Sequence, residues 1–458
     1  MRFLRRRRGK STMADTEHHR RRDQAAAVAF TALLCVMLTS ETVAGDWPQV
    51  LGPNRNGHAA VDERLADRWP ASGPTVLWKR SVGSGYAGPA ISGNTLILFH
   101  RLTAAEAGMP TDVEVVEAID TATGQTRWRD GHPTRFRPQV GGGDGPLCVP
   151  VIQEELVVTY GAQGVLSCHS LKDGTLRWRR ETHREYDARE GYFGAGSAPL
   201  VVGAGNQATV IVNVGGSREA SGIVAFALAD GRTRWSATDE PASYAAPGAL
   251  PTGSGDAVPD AIVITRYRCL RLNSTNGQVR WEVPFGMRGP TVNAASPLVM
   301  PSPDGGATLL ITASYGVGTL CGPMDATGFM PAWEGTASLA TQYATPVLIG
   351  ESLYGYDGRE DVPPASLVCL DPKTGQERWR ERQRSYGTVL AADSKLLAVG
   401  TDGTLQLIRP SADGVRVLAS ASPLEATVRA LPALANGQLY LRNDATLICL
   451  DVGEAAQR

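Results

Sequence analysis

Short runs in which β-branched and apolar residues alternate with polar ones follow one another through most of the chain, punctuated by Gly, Pro, Asn and Asp. This pattern predicts strands joined by tight turns rather than helices. The clearest unit is Ala118–Trp128, AIDTATGQTRW. Val113 to Ala118 mixes β-branched and polar types as a strand does, Thr123-Gly124 supplies a turn, and Thr126-Arg127-Trp128 begins a second strand. Gly124 can take the positive φ of a short hairpin loop, and the Asp120 carboxylate can accept hydrogen bonds from the turn's free N–H groups. Trp128 is then placed to dock on a neighbouring unit. Burying an indole removes roughly 200 Å² from water, worth a few kcal/mol at ~25 cal/mol/Å².

The same frame recurs. Cys168 to Asp173-Gly174 leads to Trp178, Ala225 to Asp230-Gly231 leads to Trp235, Arg271 to Asn276-Gly277 leads to Trp281, and Cys369 to Thr374-Gly375 leads to Trp379. Two copies are degenerate. Pro323 to Trp333 keeps Asp325 with a shifted turn, and Ile408 to Leu418 keeps Asp413-Gly414 without the Trp. Cys449-Leu450-Asp451 begins a motif that ends without a Trp, while Val76-Leu77-Trp78-Lys79 is a terminal strand with no hairpin before it. The two fragments complete each other, as the ends of a closed ring do, and closure removes the open sheet edge. Trp78, Trp128, Trp178, Trp235, Trp281, Trp333, Trp379 and Leu418 count eight units; seven is the rival count if Ile408–Leu418 is not one.

A second periodicity fixes the register. A small residue or two and a Pro precede each expected inner strand, at Pro89, Pro150, Pro199, Pro247, Pro297, Pro346 and Pro432, with Thr388-Val389 in the remaining slot. Pro suits the first position of a strand, where its missing N–H costs no ladder bond. The expected fold is all-β, an eight-bladed β-propeller of four-stranded antiparallel blades, closed by pairing the N-terminal strand with the C-terminal blade. Composition agrees: 51 Gly and 29 Pro in 458 residues speak for many turns.

Residues 1–44 read as a targeting segment. Arg5–Arg8 and Arg20–Arg22 are basic, Ala25–Leu38 is uncharged and largely apolar, and Thr42-Val43-Ala44 is a cleavage signal. Export to the periplasm or cell surface is expected, with an uncleaved N-terminal anchor as the alternative; Leu34 before Cys35 argues against lipid attachment. Residues 45–75, with Trp47-Pro48-Gln49 and Asn54-Arg55-Asn56-Gly57, read as an irregular leader packed on the ring, 76–451 as the propeller and 452–458 as a tail. Beyond residue 44 the chain holds 36 basic and 42 acidic residues, which argues against nucleic acid as a partner. Cys168, Cys369 and Cys449 share one repeat position that elsewhere holds a small apolar residue, so buried free thiols are expected rather than disulfides.

The frame of Ala or Cys at the first position, Asp at the third, Thr-Gly at the sixth and seventh and Trp at the eleventh resembles the PQQ-like repeat, or tryptophan-docking, β-propellers. Asp120/Thr123/Gly124/Trp128 and Asp371/Thr374/Gly375/Trp379 match in full. The resemblance implies one of two functions: a cofactor-free scaffold that binds partner proteins, as BamB does, or a dehydrogenase of alcohols or sugars using PQQ and calcium. The chain has no adjacent Cys-Cys pair, no Cys-x-x-Cys-His and no convergent carboxylate cluster in the repeat register, so the expected role is an exported, non-catalytic scaffold. Its expected partners are other envelope proteins, it works as a monomer, and no cofactor, metal or catalytic residue is assigned. The alternatives are a dehydrogenase using PQQ and calcium and a glycan-binding or glycan-active propeller, with a small-molecule or glycan ligand in place of a protein partner.

Binding is expected on the loops that lead from each outer strand to the next inner strand. Tyr86, Tyr244, Tyr343 and Tyr386 stand three residues before the Pro slot, either as a partial ring of phenols at the channel mouth or as packing between blades. The two longest such loops carry Arg135, Arg137, Arg184 and Arg189, with His132 and His183, and Arg is enriched at interface hot spots. Acidic neighbours make a self-neutralising solvated face the alternative, and neither His is assigned to catalysis.

Overall fold

In the computed structural model, residues 45–141, 143–250, 258–302 and 306–454 are described. The expected targeting segment, 1–44, lies outside them. The hairpin predicted at Ala118–Trp128 forms: Val113–Asp120 pairs with Thr126–Pro133, Ala118 facing Trp128. With Ala90–Ser92 and Thr95–Leu102 it makes one four-stranded antiparallel blade. Seven blades repeat this order in sequence. The eighth is built from both ends, Thr75–Ser81 pairing with Thr446–Asp451 beside Gln438–Arg442 and Ala433–Ala435. The result is an eight-bladed β-propeller, the Ile408–Leu418 unit being a blade like the others, with Leu405–Arg409 paired to Arg416–Ala421.

Each Trp docks on the following blade. The indole Nε1 donates to a turn carbonyl of that blade: Trp78 to Thr121 (2.7 Å), Trp128 to Leu171 (2.9 Å), Trp178 to Leu228 (2.7 Å), Trp235 to Ser274 (3.0 Å), Trp281 to Asp325 (3.1 Å), Trp333 to Pro372 (2.9 Å) and Trp379 to Ser411 (2.8 Å). In five of these seven joints, all but those of Trp281 and Trp379, the ring lies on the turn glycine. A Cβ on Gly174 would come within 2.4 Å of Trp128, and one on Gly231 within 2.7 Å of Trp178. These glycines also hold φ near +70°, so they serve both the turn and the approach of the indole. The third-position Asp works as expected: Asp120 Oδ1 accepts from the N–H groups of Ala122 (3.1 Å) and Thr123 (2.9 Å). A register shift follows the residue facing the Trp in most blades, at Ala118/Ile119, Cys168/His169 and Cys369/Leu370 among them, a bulge that turns the Trp strand toward its neighbour. All six described cysteines are free and buried; Cys168, Cys321, Cys369 and Cys449 lie opposite a Trp.

Inner strands begin at the Pro slot in seven blades. The blade with Thr388-Val389 there has a six-residue inner strand, Gly387–Ala392, because those residues keep the N–H groups that Pro would remove and pair with Val399 and Ala398.

The leader crosses the face formed by the first-to-second-strand turns. Trp47 pairs with Ile91, Pro48 accepts from Ile152 N, and Ala59 and Gly57 pair with Ala391. His58 Nε2 lies 2.8 Å from Leu348 O, and Glu63 accepts from Asn436 N at 3.0 Å. Farther along, Leu65 bridges Gly453, and Trp69 packs with Leu418 against the core of the closing blade. At that seam the facing hairpin is split between the two chain ends, so no turn carbonyl awaits an indole, which accounts for Leu418 in the Trp position.

The closing strand is also held by charge. Glu117, with a side chain 0% exposed, meets Arg80 and Arg129 at 2.8 Å each and His100 Nε2 at 3.1 Å. Burial opposes its ionisation, but the bonds from His100 and Thr126 and the Arg80 charge bring its pKa down to about 2. A depressed carboxylate stabilises the fold fully above its unfolded pKa and loses that contribution as pH falls through the folded value. Glu117→Gln is therefore expected to cost about 3 kcal/mol near neutrality and to flatten the stability profile between pH 4.5 and about 2, read by urea denaturation across that range. A second expectation concerns docking: Gly231→Ala destabilises by at least ~1 kcal/mol through positive φ and the Trp178 clash, whereas Gly108→Ala, with positive φ and open space, is milder in the same assay.

Candidate functional site

On the face opposite the leader, the loops between outer and inner strands and those between second and third strands surround the axis. They enclose a cavity of about 710 Å³, within the range of small-ligand sites. Its floor includes Val50 of the leader. Behind the floor Arg55 donates to Pro199 O (2.9 Å), Ala198 O (3.3 Å) and Gln49 Oε1 (2.9 Å). No ion pair reaches Arg55 among the described residues, and burial alone lowers its pKa to about 9. Leu51 and Arg55 both take positive φ, so the floor is a strained turn held by its contacts.

One side of the cavity is apolar: Leu147, Val149, Phe193, Ala246, Val292 and Ala294, with Tyr244 edge-on to Phe193 at 5.6 Å. The other side is charged and internally paired. Arg429 Nε donates to both oxygens of Glu360 (2.7 and 2.8 Å) and Arg429 Nη1 to Tyr86 Oη (3.1 Å), while Tyr343 Oη donates to Glu360 Oε2 (3.2 Å). Arg359 stacks on Tyr315 at 4.1 Å from the ring centroid and pairs with Asp361, whose pKa is lowered by it. Gln342 Nε2 donates to Tyr315 Oη (2.9 Å), and Gln342 Oε1 accepts from Glu360 N (2.8 Å).

Of the four tyrosines singled out by register, Tyr86, Tyr244 and Tyr343 line the cavity. Tyr386 does not. It is 2% exposed, and its hydroxyl accepts from the N–H groups of Gln342 (3.0 Å), Tyr343 (3.1 Å) and Ala344 (3.0 Å) while bonding Thr341 Oγ1 (2.6 Å). It thereby shapes the loop that carries Gln342 and Tyr343 to the wall. Arg135, Arg137, Arg184 and Arg189 are all exposed outside the cavity; Arg137 meets Asp112 at 3.3 Å and Arg184 meets Glu181 at 3.0 Å. Their two loops are tied by Gln139 N to Tyr192 O (2.8 Å), and Gln163, on the turn between Leu156–Tyr160 and Val165–Ser170, bridges them by accepting from Arg135 N (2.9 Å) and donating to Glu190 Oε1 (2.7 Å). His132 ends the strand Thr126–Pro133, buried and 3.1 Å from Glu114, and His183 is largely buried, which lowers its pKa to about 4.

The wall residues that the Tyr register missed, Tyr315, Arg359, Glu360 and Asp361, belong to loops between second and third strands, and Gln342 and Arg429 to outer-to-inner loops outside the Tyr position. The charged run Arg359-Glu360-Asp361 ahead of Pro363-Pro364 was a signal visible in the sequence. The carboxylates of the lining are not arranged as a calcium site. Calcium takes about six to eight oxygens, no three acidic, His or Cys groups among the described residues converge to hold a metal, and the wall's Glu360 and Asp361 are committed to Arg429 and Arg359.

Eight blades, joined at seven seams by a docked Trp, around an axial cavity define a PQQ-like repeat propeller. The family model described as outer membrane protein assembly factor BamB matches residues 112–381, more than half of the chain, and the chain belongs to that family. Among solved structures, BamB from Moraxella catarrhalis superposes with a TM-score of 0.57 at 14% identity, covering 82% of this chain and 99% of that one. A europium-containing methanol dehydrogenase gives 0.61 at 10% identity, covering 87% and 89%. A quinohemoprotein alcohol dehydrogenase from Pseudomonas putida HK5 gives 0.63 at 12%, covering 90% and 81%. At these identities the likeness is one of fold. No curated protein sequence matches the chain significantly.

The Tyr386 arrangement has a direct test. Tyr386→Phe removes the acceptor for three amides and is expected to cost about 1–3 kcal/mol. It should speed hydrogen exchange at Gln342, Tyr343 and Ala344 at least tenfold while leaving the Trp-docked turns protected.

Proposed function

We propose that this propeller is an exported, cofactor-free scaffold of the cell envelope whose loop face binds a partner protein. One observation carries the reading: large apolar side chains stand exposed on the loops that form the cavity, Val140 (55%) and Tyr192 (38%) in its lining, and Met287 (46%) and Val362 (57%) on the loops that bring Pro290 and Asp361 to it. Exposed apolar groups ringing a concave site mark interaction surfaces. The leader closes the other face, so the open end of the axis is the one these residues surround. Family membership supports the scaffold role and the envelope location. Among the described residues no helix is long and apolar enough to cross a membrane.

Two measurements test this. Envelope proteins retained by the immobilised chain are compared with those retained by a triple variant, Val140→Asp, Met287→Asp and Val362→Asp, with equal melting temperature. Loss of the same species in the variant is expected, and unchanged retention contradicts the reading. In parallel the chain is titrated with PQQ and calcium while quinone absorbance and melting temperature are followed. No saturable binding at high micromolar quinone is expected; saturable calcium-dependent binding would overturn the cofactor-free role in favour of a dehydrogenase.

A further inference from the structure

The hydrogen bonds of the cavity wall leave a surplus of donors. Glu360 accepts from Arg429 and Tyr343, and Asp361 from Arg359 and Gln342. The arginines are not used up in return. Among the described residues no hydrogen bond engages Arg429 Nη2 or Arg359 Nη1. The phenols of Tyr315 and Tyr244 accept, from Gln342 Nε2 and Phe193 N, and neither gives up its own proton to a protein acceptor. All four groups line the cavity.

Charge points the same way. Within the wall two guanidinium groups balance two carboxylates, and at its edge Asp444, which accepts from Tyr86 Oη (3.2 Å), is balanced by the buried Arg442, so the wall is neutral by itself. Behind the floor, Arg55 adds a wholly buried cation that backbone carbonyls solvate and no carboxylate pairs. A buried charge without a counter-ion projects its field through a low-dielectric wall with little screening. The cavity therefore carries a positive excess, a donor-rich polar side and, across from it, an apolar side of Leu147, Val149, Ala246, Val292 and Ala294.

The geometry points to the C-terminus of a partner polypeptide as the occupant: a free α-carboxylate on the Arg359/Arg429 wall, with an apolar last side chain against the opposite side. Carboxylates match guanidinium edges, and chain ends are recognised by converging N–H donors. The cavity volume suits about two or three residues, and the exposed apolar rim receives those just upstream. This rests on the reading of the loop face as a protein-binding face.

The test uses a fluorescein-labelled pentapeptide, Ala-Ala-Ala-Leu-Phe, as free acid and as C-terminal amide, with 3-phenylpropionate as competitor, in fluorescence anisotropy with the purified chain. The free acid is expected to bind saturably and the amide at least tenfold more weakly. Arg359→Gln, a half-exposed position whose partner Asp361 is solvated, should remove most of that gap; Ala294→Phe, which fills the apolar side without touching a charge, should weaken acid and amide alike. The acid–amide comparison needs no variant, so a folding defect does not blur it. Equal affinity of acid and amide, absence of binding at millimolar peptide, or competition by 3-phenylpropionate as tight as the peptide itself each overturns the inference, the last in favour of a small-molecule acid. Should the rim variant lose its envelope partner while the peptides show no carboxylate dependence, the protein-binding face stands and the chain-end assignment falls.

Discussion

An indole seated on a turn glycine, with its N–H bonded to the carbonyl beside that turn, is the contact on which the ring depends. The N–H bond occurs at seven of the eight seams, from Trp78 on Thr121 to Trp379 on Ser411, and the glycine seat at five of those seven, Trp281 and Trp379 being the two without it. The geometry makes each blade contribute half of two joints, an indole to the next blade and a turn to the previous one. A blade cannot bury its outer strand alone; the ring closes because the last half-joints meet. At the closing blade the hairpin is divided between the termini, and Arg80, Glu117 and Trp78 fasten the incoming strand where a continuous chain fastens the others.

This dependence explains what the sequence disclosed. The docking contact favours Gly and Trp at fixed separation, Asp where turn N–H groups are free, and in most blades a small or thiol side chain opposite the Trp, Arg271 facing Trp281 being the exception, so the constraint is written as a local motif and repeats. Blade number, ring closure and the positions of inner strands were legible for that reason. Even the exception at Thr388-Val389 has a local cause in the amides that Pro would have removed. The cavity was less legible because its wall is assembled from loops of different blades with no shared register. Tyr86, Tyr244 and Tyr343 fell in a common position and line it, whereas Tyr386, in the same position, is tucked behind the loop it organises. Arg359 and Glu360 share one connection and Arg429 comes from another, and what brings the two together is the curvature of the ring rather than any spacing. The four arginines of the long loops, chosen for residue type, stand in solvent with carboxylate neighbours for two of them.

The two faces of the ring are unequal. The leader spends Trp47, Val50 and Arg55 to close one end of the axis, and its strained residues Leu51 and Arg55 are held by contacts to the inner strands. The other end is left open, rimmed by apolar side chains and walled by charges that satisfy one another. Half-buried polar networks of this kind hold side chains rigid when their acceptors are met. A rigid donor-rich wall facing an apolar one is pre-organised for a partner with both characters.

The most direct measurement places a photoreactive residue at Val140, on the open rim, and separately at Val61, 97% exposed on the leader face, and compares protein adducts in intact cell envelopes. The account predicts discrete adducts from Val140 and none above background from Val61. Adducts of equal yield from both positions, or from Val61 alone, would contradict it.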